Sequence, residues 1–118
     1  MSLDTELAQF TGTENWYQHW TKRLNYTDGV QFVAEKYGAF WLIDAIASYQ
    51  GSKQLAREDL NDFQLWTLLV NEDSTAVLEC YPDSGEDPVL FQKIPFTDFP
   101  ETISFYVEGD TLLLPSEH

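Results

Sequence analysis

In the first half of the chain, large apolar side chains recur every three or four residues. In the second half, apolar and polar positions alternate in short bursts. The first period marks a helix with one buried face, and the second marks a half-buried strand. Trp16, Trp20 and Leu24 stand four apart and predict a short helix, opened by the capping-box spacing of Thr11-Gly12-Thr13-Glu14. The turn-forming run Asn25-Tyr26-Thr27-Asp28-Gly29 ends it. Thr27 then caps a second helix carrying Val30, Phe32, Val33, Ala34 and Tyr37, with Asp28 complementing its positive end. Gly38 suits a left-handed stop or a kink, and a further helix runs from about Ala39 to Gln50 before Gly51.

Five β-rich runs follow: Phe63–Val70, Ala76–Tyr81, Val89–Pro95, Thr102–Val107 and Thr111–Leu114. Clusters of Asn, Asp, Ser, Gly and Pro separate them, and Glu108-Gly109-Asp110 reads as a tight hairpin turn. Ile103, Phe105 and Val107 alternate with Ser104, Tyr106 and Glu108, as one buried and one wet face require. The first run is apolar at Leu65, Trp66, Leu68 and Leu69, which suits a central strand. The expected fold is α+β, with N-terminal helices packed on one face of a four- to five-stranded antiparallel meander. The polar connector 54–62 is too short to separate domains. One domain over 1–118 is expected, with a helical half at about 5–51 and a strand half at about 62–114. Thr111–Leu114 would form an apolar edge, a place where a homodimer could pair.

Composition narrows the functional classes. The 118 residues hold eight Phe, six Tyr and four Trp, enough ring surface for a stable core without disulfides. Twenty acids against six bases give a formal charge of −14, which repels phosphate backbones and anionic lipids. Direct binding to nucleic acid or a membrane is therefore not expected, while a basic protein partner is. MSLDTELAQF has no cationic or long apolar stretch of the signal-peptide kind, so a cytoplasmic protein is expected. The single Cys80 reads as a core residue. With one Cys and only His19 and His118, no zinc site is expected, and Asp83-Ser84-Gly85-Glu86-Asp87 lacks EF-hand spacing. No phosphate-binding glycine loop or nucleophile elbow is present, so no cofactor is expected.

Asp44 poses the sharpest question, because it interrupts the apolar run Gly38–Ser48 (GAFWLIDAIAS). Trp41, Asp44 and Ser48 share one helical stripe, with Tyr37 on its continuation. The other faces carry Leu42, Ile43, Ile46 and Tyr49, which predicts a helix buried almost all round and a carboxylate in need of a partner. His19, Arg23 and the backbone N–H groups near Thr11–Thr13 are candidates for a structural tether. The alternative sets Asp44 and His19 in a pocket lined by Trp16, Trp20, Trp41 and Tyr37, where the pair could do acid–base chemistry. Trp16, Tyr17 and Trp20 cover more than one side of a helix, so at least one ring is a candidate contact residue.

The stretches TGTENWYQHW (11–20), YTDGVQFVAEKYGAFWLIDAIASYQ (26–50), IPFTDFP (94–100) and LLLPSEH (112–118) carry a resemblance. From Thr11 onward the chain resembles a family of small uncharacterised bacterial proteins, frequent in cyanobacteria. The resemblance implies an autonomous fold and no particular activity. Two functions then compete. The first is a non-enzymatic interaction or regulatory module that binds a basic partner. Nucleic-acid mimicry is a special case of it, with an acidic ridge at Glu58, Asp59, Asp62, Glu72 and Asp73. The second is a hydrolyase- or isomerase-like small-molecule pocket between the helices and a curved sheet, built on Asp44 and His19.

Overall fold

The computed structural model describes residues 7–10, 15–50, 52, 60, 63–82, 85–97 and 99–117. Its elements are β1 (Trp16–Gln18), β2 (Asn25–Thr27), α1 (Asp28–Tyr37), α2 (Phe40–Tyr49), β3 (Phe63–Val70), β4 (Ala76–Tyr81), β5 (Leu90–Ile94), β6 (Ile103–Glu108) and β7 (Thr111–Leu113). A 3₁₀ turn at Pro115–Glu117 follows. The expected capping box at Thr11–Glu14 and the connector 54–62 apart from Leu60 fall outside the described residues.

The class is α+β, but the sheet has seven strands in the order β1-β2-β7-β6-β3-β4-β5 and is mixed. This corrects the expected four- to five-stranded antiparallel meander. Strands β3, β4 and β5 do form a meander. The chain then returns so that β6 pairs with the free side of β3, which makes β3 central. A hairpin adds β7, and β2 lies parallel to it through Asn25↔Thr111 and Tyr26↔Leu112. Thr111–Leu113 is thus an interior strand, covered by β2, and not the predicted edge.

The predicted helix through Trp16 and Leu24 is likewise a β-hairpin, in which β1 and β2 pair antiparallel. Its four-residue spacing of apolar side chains arises from a strand, a connection and a strand. Leu24 is buried, whereas Trp16 and Trp20 are exposed, so no common stripe exists. Three-residue strands are too short to show a period of two, and a parallel partner so far along the chain leaves no local trace.

Of the two helices described in full, α1 begins and ends as its sequence dictates, while α2 starts at Ala39 without a side-chain cap. Thr27, in extended conformation, caps α1 by accepting from the Val30 N–H. Gly38 stops it at φ 61°, ψ 39°, a left-handed geometry that costs a residue with Cβ about 1–2 kcal/mol. Val30, Val33, Leu42 and Ile43 then meet Phe105 and Leu112, which seats both helices on one face of the sheet. On that face β3 presents buried Gln64, Trp66 and Leu68, while its alternate residues Phe63, Leu65, Thr67 and Leu69 are partly covered or exposed.

A polar network crosses this layer. The Gln50 and Gln64 amides donate to each other's oxygens at 3.0 Å, and Trp66 Nε1–H donates to Gln64 Oε1 at 2.8 Å. Gln64 also donates to Leu60 O at 3.0 Å, so its buried amide meets its hydrogen-bonding demand. Burial pushes the Cys80 thiol up to about 12, which leaves it protonated and inert at neutral pH.

One carboxylate joins the two ends of the described fold. Glu117 Oε1 accepts from Thr27 Oγ1 at 2.6 Å and from the Leu114 N–H at 3.0 Å, while Oε2 accepts from the Gly29 N–H at 3.2 Å. It thereby satisfies donors at the positive end of α1. Gly29 permits this approach, because a Cβ there would stand 2.5 Å from Glu117 Oε1. Hydrogen bonds to a charged group contribute about 1.5–3 kcal/mol. Partial exposure places Glu117→Ala toward the middle of that range, at about 2 kcal/mol of lost stability by urea denaturation. A loss within experimental error would show that the clasp is incidental.

Candidate functional site

The β1–β2 hairpin is held to the helices by two acids, one from each helix. From α1, Asp28 accepts the Asn15 N–H at 3.2 Å and the Tyr17 hydroxyl at 3.1 Å. The Tyr17 phenol is raised above its ordinary range, chiefly because it donates to that carboxylate. From α2, Asp44 Oδ1 lies 2.6 Å from His19 Nε2. Tyr17 and Tyr26 stack between these anchors with ring centroids 5.5 Å apart.

Asp44 is not the buried carboxylate that its apolar neighbours suggested. It is 53% exposed, whereas its partner His19 is only 5% exposed. The stripe containing Asp44 and Ser48 faces outward, and α2 buries Leu42, Ile43, Ile46 and Ala47 instead. The helix is therefore amphipathic, with its wet side marked by few polar residues. Trp41 is half-buried at the border of that stripe.

Thr21 decides what His19 can do. Its backbone N–H donates to His19 Nδ1 at 3.2 Å, and its hydroxyl lies 2.8 Å from the same nitrogen. Nδ1 as acceptor of that N–H corresponds to the tautomer that carries its proton on Nε2, facing Asp44. A general base of the Asp–His kind needs the second ring nitrogen turned toward substrate. Here that nitrogen is occupied within its own loop. The contact ties the hairpin to α2, with Nδ1 turned into its own loop. Arg23, the other predicted partner, donates to Gln50 O at 3.3 Å instead.

The predicted aromatic residues divide. Trp20, 79% exposed, lies beside Asp44, and its Nε1–H reaches Oδ1 over a long 3.4 Å. Its ring also neighbours the His19 imidazole, with centroids 5.3 Å apart. Trp16 is 61% exposed on β1, where strand alternation sends it to the face opposite Tyr17 and His19. Tyr37 packs against Phe99, with ring centroids 5.4 Å apart. The structure thus gathers His19, Trp20 and Asp44. Tyr26 was missed as a neighbour of Asp44. Its phenol is raised by burial first and then by the charges of Asp44 and Glu35.

Of the proposed acidic ridge, Glu58, Asp59 and Asp62 lie outside the described residues. Asp73 belongs to the β3–β4 turn, where its Oδ1 accepts from the Thr75 hydroxyl at 2.6 Å and the Thr75 N–H at 3.1 Å. Those bonds hold its carboxyl below the usual range and commit one oxygen to shaping the turn.

Fold and site together define a small α+β protein with a histidine-pinned surface carboxylate beside an exposed tryptophan. The chain belongs to the family of unknown function DUF6876, whose profile matches residues 1–118. That agrees with the resemblance to a family without an assigned activity. No curated protein matches the chain. It is similar to a solved structure described as the crystal structure of a protein of unknown function from Enterococcus faecalis, at 24% identity and a TM-score of 0.46. The alignment covers 65% of this chain and 76% of that one.

The tether makes two expectations. His19→Ala removes a buried ring and its bonds, and lowers stability by about 2 kcal/mol in urea. Asp44→Asn keeps an oxygen that can accept from Nε2 and costs less than about 1 kcal/mol. Equal losses in both variants would contradict the assigned tautomer. In an NMR titration, Asp44→Asn also lowers the Tyr26 pKa, because removing a nearby negative charge eases phenol ionisation. An unmoved Tyr26 titration would place the two groups electrostatically apart.

Proposed function

We propose that this protein is a non-enzymatic binding module whose partner is a basic protein. The observation that carries the reading is the exposure of two tryptophans on one hairpin, 61% for Trp16 and 79% for Trp20. Trp is among the side chains that contribute most at protein interfaces, and leaving it in water has a cost that contact with a partner recovers. The −14 charge then selects which partner approaches, by attracting cationic surfaces and repelling acidic ones. Among the described residues no helix is long and apolar enough to cross a membrane. The reading places the encounter in the cytoplasm. Mimicry of a nucleic acid remains a narrower form of it, in which the basic partner is a DNA- or RNA-binding protein.

The test begins with nuclease-treated capture on the immobilised full chain, followed by purification of the captured protein and measurement of its affinity. A one-to-one complex whose Kd weakens steeply with salt, and by about tenfold or more in the double variant Trp16→Ala/Trp20→Ala, is expected. An acidic partner bound with no salt dependence, or full affinity without both rings, would refute the proposal.

A further inference from the structure

Resting on the binding-module reading, we infer that Trp20 and Asp44 form a receptor for one arginine side chain of the basic partner. The geometry supplies the two contacts that a guanidinium uses, a flat π face and a carboxylate beside it. Trp20 is the most exposed of the large apolar side chains among the described residues, and its indole edge, not its face, points to Asp44. Among the described residues Lys36 lies over Phe32 and Tyr37, and no cation of that set covers Trp20.

The carboxylate is prepared in the same sense. Contacts from His19 and Trp20 both converge on Oδ1, and Oδ2 accepts no hydrogen bond from the described residues. His19 is itself fixed by Thr21 through Nδ1, so one oxygen is held in place on a side chain that is 53% exposed. The side chain has therefore already lost much of the rotamer freedom that a surface aspartate normally gives up on binding. Phe40 stands one helical turn before Asp44 and is 43% exposed, which extends the apolar margin of the patch.

Arginine fits this site better than lysine for geometric reasons. A planar guanidinium stacks flat on an indole while an N–H at its edge donates in the plane of the ring system to Oδ2. An ammonium is compact and strongly hydrated, and gives up more water to sit against a ring. The surrounding negative charge raises the local concentration of cationic segments, and the Trp20–Asp44 pair supplies the preference among them.

The experiment is an NMR titration of the isotope-labelled full chain with an oligoarginine peptide and with oligolysine of equal length. Arginine is expected to shift the Trp20 indole N–H resonance at low salt, and oligolysine to bind severalfold more weakly. Asp44→Asn and Trp20→Leu each weaken oligoarginine by about tenfold, while Trp20→Phe, which keeps a π face, retains most of the affinity. Trp20 is exposed and the Asp44 variant keeps its His19 acceptor, so both substitutions leave the fold intact. Unchanged oligoarginine affinity in Asp44→Asn and Trp20→Leu, or equal affinity for the two peptides, would overturn the arginine site and leave the basic-partner reading standing. No binding of either peptide up to about millimolar concentration would remove both.

Discussion

The carboxylate of Glu117 at the start of α1 is the contact on which the arrangement of the first half depends. Through Thr27, Gly29 and Leu114 it fixes where the first helix begins relative to the last strand. Two residues of parallel pairing between β2 and β7 are a weak junction by themselves, because so short a ladder supplies few bonds and little buried area. The clasp secures that junction from one end, and the Asn25 N–H donating to Asp110 O at 2.7 Å secures it from the other. With β2 in place, β1 has a strand to pair with and α1 has a fixed axis. Asp28 and Asp44 can then draw the hairpin down from two helices at once.

Charge acquires a different meaning in this frame. A chain so rich in acid invites a reading in which the carboxylates form an undifferentiated solvated surface. Among the described residues, four show how specific their roles can be: Glu117 caps a helix, Asp28 holds Tyr17 and Asn15, Asp44 holds His19, and Asp73 shapes a turn. Three of the four reach a segment distant in sequence. The acids together set the long-range field, and those positioned by neighbours give it directional detail.

What could be read from the sequence follows the range of the forces involved. The strands Phe63–Val70 and Ala76–Tyr81, the Thr27 cap and the Gly38 stop are local, since each depends on side chains within a few residues, and each was legible. The β1–β2 hairpin was not. Trp16 and Trp20 stand at helical spacing, and the partner that makes this segment a strand lies at the other end of the chain. The candidate site was half legible. His19 was among the partners named for Asp44, because a lone acid in an apolar run asks for a donor. Its exposure was not, because a helix with small residues such as Ala45 and Ser48 on its outer face looks apolar all round when counted by type. The tautomer of His19 depends on Thr21, whose significance appears only once the loop closes on itself.

The parallel β2–β7 junction also sets an order of events in time. Thr27 and Glu117 are 90 residues apart, and closing so long a loop costs more chain entropy than pairing neighbouring strands does. Strands β3 to β6 and the helices can assemble from nearer neighbours beforehand. The β1–β2 hairpin has no strand to lean on until β7 is in place. The tryptophan-bearing hairpin therefore takes its final place only when β7 is there to receive β2.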